Sequence, residues 1–180
     1  MGSGTLVIFS ELGTGSTEIA EIVGKKLGMK VYNTDKLLRN VAATSNLTFE
    51  QLATSSVSGE VEIDQLLFAH ALDVLERGNV ILEGRSSFLV TLAPITLKVF
   101  LVAPEHMRAK HVAGLRGLSY DKAFEEIRAS DQDRENLARK ICRVDWKDPS
   151  MYDLIINTGG LKDEDVAELI MAGYAKRLGG

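Results

Sequence analysis

The chain has 180 residues, 45% of them hydrophobic, enough for one well-buried core and for a single domain spanning residues 1–180. Its 21 Lys and Arg against 25 Asp and Glu give a formal charge of −4, so no general attraction to nucleic acid or to an anionic membrane is expected and any anion site must be local. One cysteine, Cys142, leaves no disulfide framework and no cluster of soft metal ligands, as expected of a reducing, cytoplasmic compartment.

The first apolar run, residues 6–9, has strand length and is too short for a signal-peptide core or a membrane span. A Gly-rich turn follows, Ser10-Glu11-Leu12-Gly13-Thr14-Gly15-Ser16-Thr17. It opens a helix marked by Ile19, Ile22, Val23 and Leu27, with Gly28 where a left-handed C-cap belongs. Residues 30–32 read as a short strand, and residues 35–41 as the start of a helix. Residues 44–58 are Ser/Thr-rich and weakly periodic, which suits a surface segment between elements. Ile63, Leu66, Leu67, His70, Ala71, Val74 and Leu75 mark one face of a longer helix ended by Gly78. Residues 80–82 form a strand that stops at Glu83-Gly84-Arg85, and residues 97–102 a continuous apolar strand of the kind buried on both faces. Pro104 can open a helix where its missing N–H does no harm. Residues 154–156 are the last strand, and Val166, Ala167, Ile170, Met171 and Tyr174 mark the closing helix.

Strands alternating with helices predict an α/β fold, a doubly wound five-stranded parallel sheet with helices on both faces. Ligands bind such sheets beyond the carboxyl ends of the strands, here the turns at 10–17, 33–35, 83–85, 103–105 and 157–160. In the first turn Gly13 and Gly15 allow several amides to point at one anion, the helix N-terminus adds its dipole, and Thr17 offers an oxygen to Mg²⁺. The lysine of the full phosphate-loop pattern is replaced by Ser16. Two readings therefore stand: a phosphate loop, or an ordinary Gly-rich turn capped by the hydroxyl of Ser16 or Thr17. Arg85, ending a buried strand, suits a two-pronged grip on a phosphate or base, or else a surface ion pair. Asp35 and Arg39 offer a carboxylate and a cation one turn apart, or simply an i, i+4 surface pair. The stretch 131–153 carries Arg134, Arg139, Lys140, Arg143, Asp145, Asp148 and Asp153. It suits a lid over about residues 131–150, with little apolar surface to anchor it, or a solvated charged helix face. His70, His106 and His111 have no metal-ligand spacing, and His70 reads as a core residue.

Several motifs occur in a telling order: residues 18–28 after the glycine turn, Ile81-Leu82-Glu83-Gly84-Arg85, Val99-Phe100-Leu101-Val102-Ala103-Pro104 with Arg108, and Asp145-Trp146-Lys147-Asp148-Pro149-Ser150-Met151-Tyr152-Asp153 running into Leu154-Ile155-Ile156-Asn157-Thr158. Together they resemble the cytidylate kinase-like family of P-loop nucleoside monophosphate kinases over nearly the whole chain. The resemblance implies a P-loop kinase fold with a helical lid, and transfer of the γ-phosphoryl group of ATP, with Mg²⁺, to a nucleotide such as CMP or dCMP. It implies Gly13, Thr14, Gly15, Ser16 and Thr17 at the donor phosphates, Thr17 at the metal and Arg108 near the donor nucleotide. Asp35, Arg39 and Arg85 would hold the acceptor, and Arg85, Arg134 and Arg139 would act in catalysis. Two departures bear on catalysis. The lysine of the general phosphate-loop pattern is absent, and Phe9-Ser10 stands where a Ser-Arg pair is usual in the family, which leaves Glu11 without an obvious counter-charge. Losing such a lysine removes on the order of several kcal/mol of transition-state stabilisation. A nucleotide-binding or regulatory domain that keeps the fold without catalysis is therefore the second expectation.

Overall fold

The structure, a computed structural model, describes residues 4–44, 48, 50, 61–90 and 93–179, so most of the expected surface segment at 44–58 lies outside the described residues. The elements run β1 (Thr5–Ser10), α1 (Ser16–Leu27), β2 (Lys30–Tyr32), α2 (Thr34–Thr44), α3 (Val61–Glu76), β3 (Val80–Glu83), a 3₁₀ segment (Gly84–Val90), β4 (Leu97–Val102), α4 (Glu105–Arg116), α5 (Tyr120–Cys142), a 3₁₀ turn (Pro149–Met151), β5 (Leu154–Asn157) and α6 (Asp163–Leu178). All neighbouring strands pair in parallel, in the order β2-β3-β1-β4-β5.

Side chains alternate across a strand, so each buried strand feeds two cores. Leu6 and Ile8 of β1 face one core while Val7 and Phe9 face the other. Ile81 of β3 and Val99 and Leu101 of β4 join the first, against Ile19, Ala20 and Val23 of α1 and Val166, Ala167 and Ile170 of α6. Leu82 and Phe100 join the second, against α2, α3 and the 3₁₀ segment. Both faces are apolar because both are covered, as the continuous runs predicted. After β1 the chain crosses to β2 and returns through β3, and β4 then adds on the opposite side of β1. Successive connections thus leave a crevice at the carboxyl end of β1.

Two features differ from expectation. Helix α5 starts at Tyr120, whereas the charged stretch expected as a lid begins only at residue 131 and the strongly polar composition of residues 120–130 predicts no element there. Its buried residues Ala123, Ile127, Arg134, Leu137 and Ala138 nevertheless recur at helical spacing, a stripe too narrow to stand out. The second concerns the anchoring of residues 131–150. Leu137, Ala138 and Trp146 belong to the second core, and Trp146 is 1% exposed. Its ring meets Phe88 edge-on at 5.2 Å and Phe100 at 5.5 Å, while Tyr152 stacks on Phe100 at 4.7 Å. The segment is therefore anchored by Leu137 and Ala138 and, toward its C-terminal end, by the aromatic packing of Trp146. On α3, Leu67, Ala71, Val74 and Leu75 are buried, but Leu66 is exposed. His70 is half-buried, and its Nε2 is buried without a hydrogen-bond partner. No described helix is long and apolar enough to cross a membrane.

Candidate functional site

The turn between β1 and α1 needs glycine at two places. Gly13 has φ +91° and Gly15 φ +79°, a region L side chains rarely adopt. A Cβ on Gly13 would also stand 2.7 Å from the Arg108 carbonyl oxygen. Gly15 is the N-cap of α1, and no side chain caps the helix there. The first amides of any α-helix lack intrahelical acceptors, so this start presents free N–H groups and the positive end of the dipole. Of the two readings of the turn, the cap by Ser16 or Thr17 is thereby overturned. Both hydroxyls turn instead to the end of β3: Ser16 Oγ donates to Glu83 Oε2 at 3.1 Å, and Thr17 Oγ1 to Glu83 Oε1 at 3.2 Å. Ser10 Oγ donates in turn to Ser16 Oγ at 3.1 Å. Thr14 is buried, and its hydroxyl donates to the Glu11 carbonyl at 2.9 Å, which holds the loop closed.

Glu83 is 2% exposed. Burial pushes its carboxyl above the usual range, against the opposing pull of the Ser16 and Thr17 hydroxyls and of Arg134. Hard oxygen donors so placed suit Mg²⁺, which takes one or two protein oxygens and completes its shell with water and phosphate. Among the described residues no cluster of three or more His, Cys, Asp or Glu could hold a metal alone, so any ion here would depend on a bound phosphate.

In front of the loop lies a cleft of about 320 Å³. The turns at 10–17, 33–35 and 83–85 line one side, including Asp35 and Arg85, and the α4–α5 hairpin lines the other with His111, Leu115, Arg116 and Arg134. Arg134 is 6% exposed and its Nε is buried without a hydrogen-bond partner, while Nη1 donates to the Ser130 carbonyl at 3.2 Å and to the Ser130 hydroxyl. Burial lowers the guanidinium to about 10, with Arg85 and Arg108 adding repulsion and Asp131 and Glu83 opposing it. It remains a cation at neutral pH. A buried guanidinium with an unused N–H in a polar cleft is a group that an anion would satisfy.

Arg108 sits beneath the loop. Its guanidinium, 2% exposed, donates to Asp131 at 3.2 and 2.9 Å, to the Leu12 carbonyl at 3.2 Å and to the Ala103 carbonyl at 3.1 Å, and lies 3.4 Å from Glu11. It thus braces the loop to β4 and α5, and every hydrogen bond just named goes to the protein. The Glu11 carboxylate is balanced after all. It faces Arg108 and Lys147 and accepts from the Ala103 amide at 3.3 Å. On the other side of the loop a second cleft, of about 370 Å³, is lined by Gly13, Thr14 and Gly15, by Met107 and His111 of α4, and by 158–163. There Asp163 is held above the usual carboxylate range by burial first and by Glu18 and Glu164 next.

All five predicted turns therefore border these two clefts. Asp35, Arg85 and Arg134 reach the first cleft together with Gly13, Gly15, Ser16 and Thr17. Arg39 lies exposed on α2 outside that lining, and Arg139 is an exposed partner of Glu135 at 2.6 Å, one turn away on α5. The sequence reading missed Glu83 as the partner of both loop hydroxyls, Asp131 as the partner of Arg108, and the hairpin residues His111 and Arg116. An ionisable residue closing an otherwise apolar strand was the available signal for Glu83.

The cytidylate kinase-like family model matches residues 6–160. The chain is similar to the cytidylate kinase of Archaeoglobus fulgidus, 31% identical over 161 residues and 88% of each chain. The cytidylate kinase of Methanobrevibacter smithii is 32% identical over 162 residues, 88% of this chain and 91% of that one. Among solved structures, a protein of Eubacterium ventriosum superposes with TM-score 0.78 at 16% identity, covering 97% of this chain and 99% of that one. Shikimate kinase of Bacteroides thetaiotaomicron superposes with TM-score 0.64 at 15% identity, covering 98% and 99%. The shikimate kinase likeness shows an α/β kinase fold, and the match over residues 6–160 goes further: the chain belongs to the cytidylate kinase-like family.

Proposed function

We propose that the protein is a cytoplasmic, ATP-dependent nucleoside monophosphate kinase whose acceptor is CMP, dCMP or a similar small nucleotide. The observation that carries this is Arg134, a buried cation with an unpaired Nε–H that lines the cleft onto which the uncapped start of α1 opens. Phosphoryl transfer asks a protein mainly to position two phosphates in line and to stabilise charge on the group in flight. The amides at the start of α1 would bind the donor phosphates. Arg85, with Asp35, would orient the acceptor. Arg134 would hold the migrating group, while the α4–α5 hairpin excludes water. Mg²⁺ would neutralise phosphate charge, held through Thr17 with Glu83 behind it.

The test is a coupled ADP-release assay with Mg·ATP and a panel of nucleoside monophosphates, with Arg85→Ala run beside the wild type. CMP or dCMP should give the highest kcat/KM, and loss of the Arg85 guanidinium should lower it by about 10²-fold or more. Nucleotide binding without ADP release for any acceptor would refute the kinase and leave a binding or regulatory domain in its place.

A further inference from the structure

The two clefts flanking the phosphate loop share three lining residues: Gly13, Gly15 and His111. Gly13 and Gly15 belong to the loop itself, so His111 is the side chain that spans the junction from the α4 side, and it is exposed there. If the proposed function holds, a nucleotide with its base in one cleft and its terminal phosphate in the other must pass through this junction. The electrostatics of the junction are unusual for an anion site. Asp163 Oδ1 lies 3.2 Å from where a Cβ on Gly15 would be, so a carboxylate stands against the loop. At position 16, where a lysine would compensate, the serine hydroxyl is bonded to a second carboxylate, Glu83. A polyphosphate entering here needs a cation close to Gly13 and Gly15. Lys162, Arg85, Arg116 and Arg134 each border one of the clefts, and His111 is the ionisable side chain that lines both.

We infer that His111 contacts the donor phosphates and stands in, as a titratable cation, for the lysine absent at position 16. This inference rests on the donor-site reading above. Histidine changes charge between about pH 5 and 8, so a site built this way binds nucleotide more tightly as pH falls, whereas a lysine would give no such dependence. The acidic groups facing the junction are Asp163 of α6, Glu18 of α1, and Asp35 and Glu83 across the first cleft. The basic ones are Lys162 before α6, Arg85 and Arg134 across the cleft, and Arg116 on the same helix. On the outer side of α4, His106 and Lys110 border a surface depression that His111 also lines. His106 is the other imidazole beside this helix face, so His106→Gln is the control.

The measurement is the Kd for Mg·ATP by calorimetry at pH 6.0 and pH 8.5, for wild type, His111→Gln, His111→Arg and His106→Gln. A nucleotide's terminal phosphate titrates in the same interval, so the readout is the ratio of variant to wild-type Kd. For His111→Gln the ratio should be about three- to tenfold at pH 6.0 and fall to about one at pH 8.5. His111→Arg should bind more tightly than wild type at pH 8.5, and His106→Gln should track wild type throughout. A His111→Gln ratio that is the same at both pH values overturns the role of His111 and leaves the donor site standing. Absence of Mg·ATP binding by the wild type at both pH values overturns the donor site, and this inference with it.

Discussion

Asp131→Asn is the most searching perturbation of the frame beneath the phosphate loop. Asp131 receives two hydrogen bonds from Arg108, which is 2% exposed. Asparagine keeps the shape but removes the charge and turns an amide N–H₂ toward a guanidinium that donates only. Breaking a buried ion pair from one side costs about 3–5 kcal/mol. Glu11 remains 3.4 Å from Arg108 Nε, and the Asp131 side chain is itself 14% exposed, so the expected loss lies below that range, at about 2–3 kcal/mol. With a urea m-value of about 2 kcal/mol/M, the unfolding midpoint should fall by about 1–1.5 M with m unchanged. A second variant separates the pair from the packing. Arg108→Met strands Asp131 and leaves Glu11 to Lys147 and the Ala103 amide, so it should be worse than Arg108→Met with Asp131→Leu, in which the stranded carboxylate is gone. A midpoint shift under about 0.3 M for Asp131→Asn, or a double variant no more stable than Arg108→Met alone, would refute the account of Arg108 as the brace of the loop.

Three further outcomes follow from the same contacts. Gly13→Ala should cost about 1–3 kcal/mol of stability from its positive φ and its approach to the Arg108 carbonyl, and should weaken Mg·ATP binding at least tenfold; both are read by urea unfolding and calorimetry. Trp146→Ala should cost about 3–5 kcal/mol and Trp146→Phe much less, and amide exchange at residues 137–146 should be slow without ligand, because this part of the segment packs into the core. Because Glu83 holds its proton more tightly when folded than when unfolded, it favours the folded state most at pH below the ordinary carboxylate range, and that contribution is lost as pH rises through its raised value. Wild type should therefore lose stability relative to Glu83→Gln as pH rises from below the ordinary carboxylate range through the raised value, by about 1.4 kcal/mol for each tenfold difference in proton affinity, and parallel stability curves for the two proteins would contradict the burial argument.

The sequence by itself determined the strands, most of the helices and the turns that form the site. Those signals are local: continuous apolar runs such as 97–102, helical spacing after Gly15, and glycines where the chain needs a positive φ, all of which act within a few residues. The family was legible for the same reason, since its motifs are short and occur in order. What the tertiary structure decided was which charges meet. Arg108, Arg134 and Arg139 are alike as letters in a polar stretch, yet one is locked under the loop by Asp131 and Glu11, one is buried in the cleft with an unused N–H, and one pairs with Glu135 in solvent. Glu83 meets Ser16 and Thr17 across more than sixty positions of sequence, and His111 comes to line both clefts beside the loop only because α4 folds back over the carboxyl end of the sheet. Coulomb energy depends on distance and burial, and neither is written in the spacing of residues along a chain.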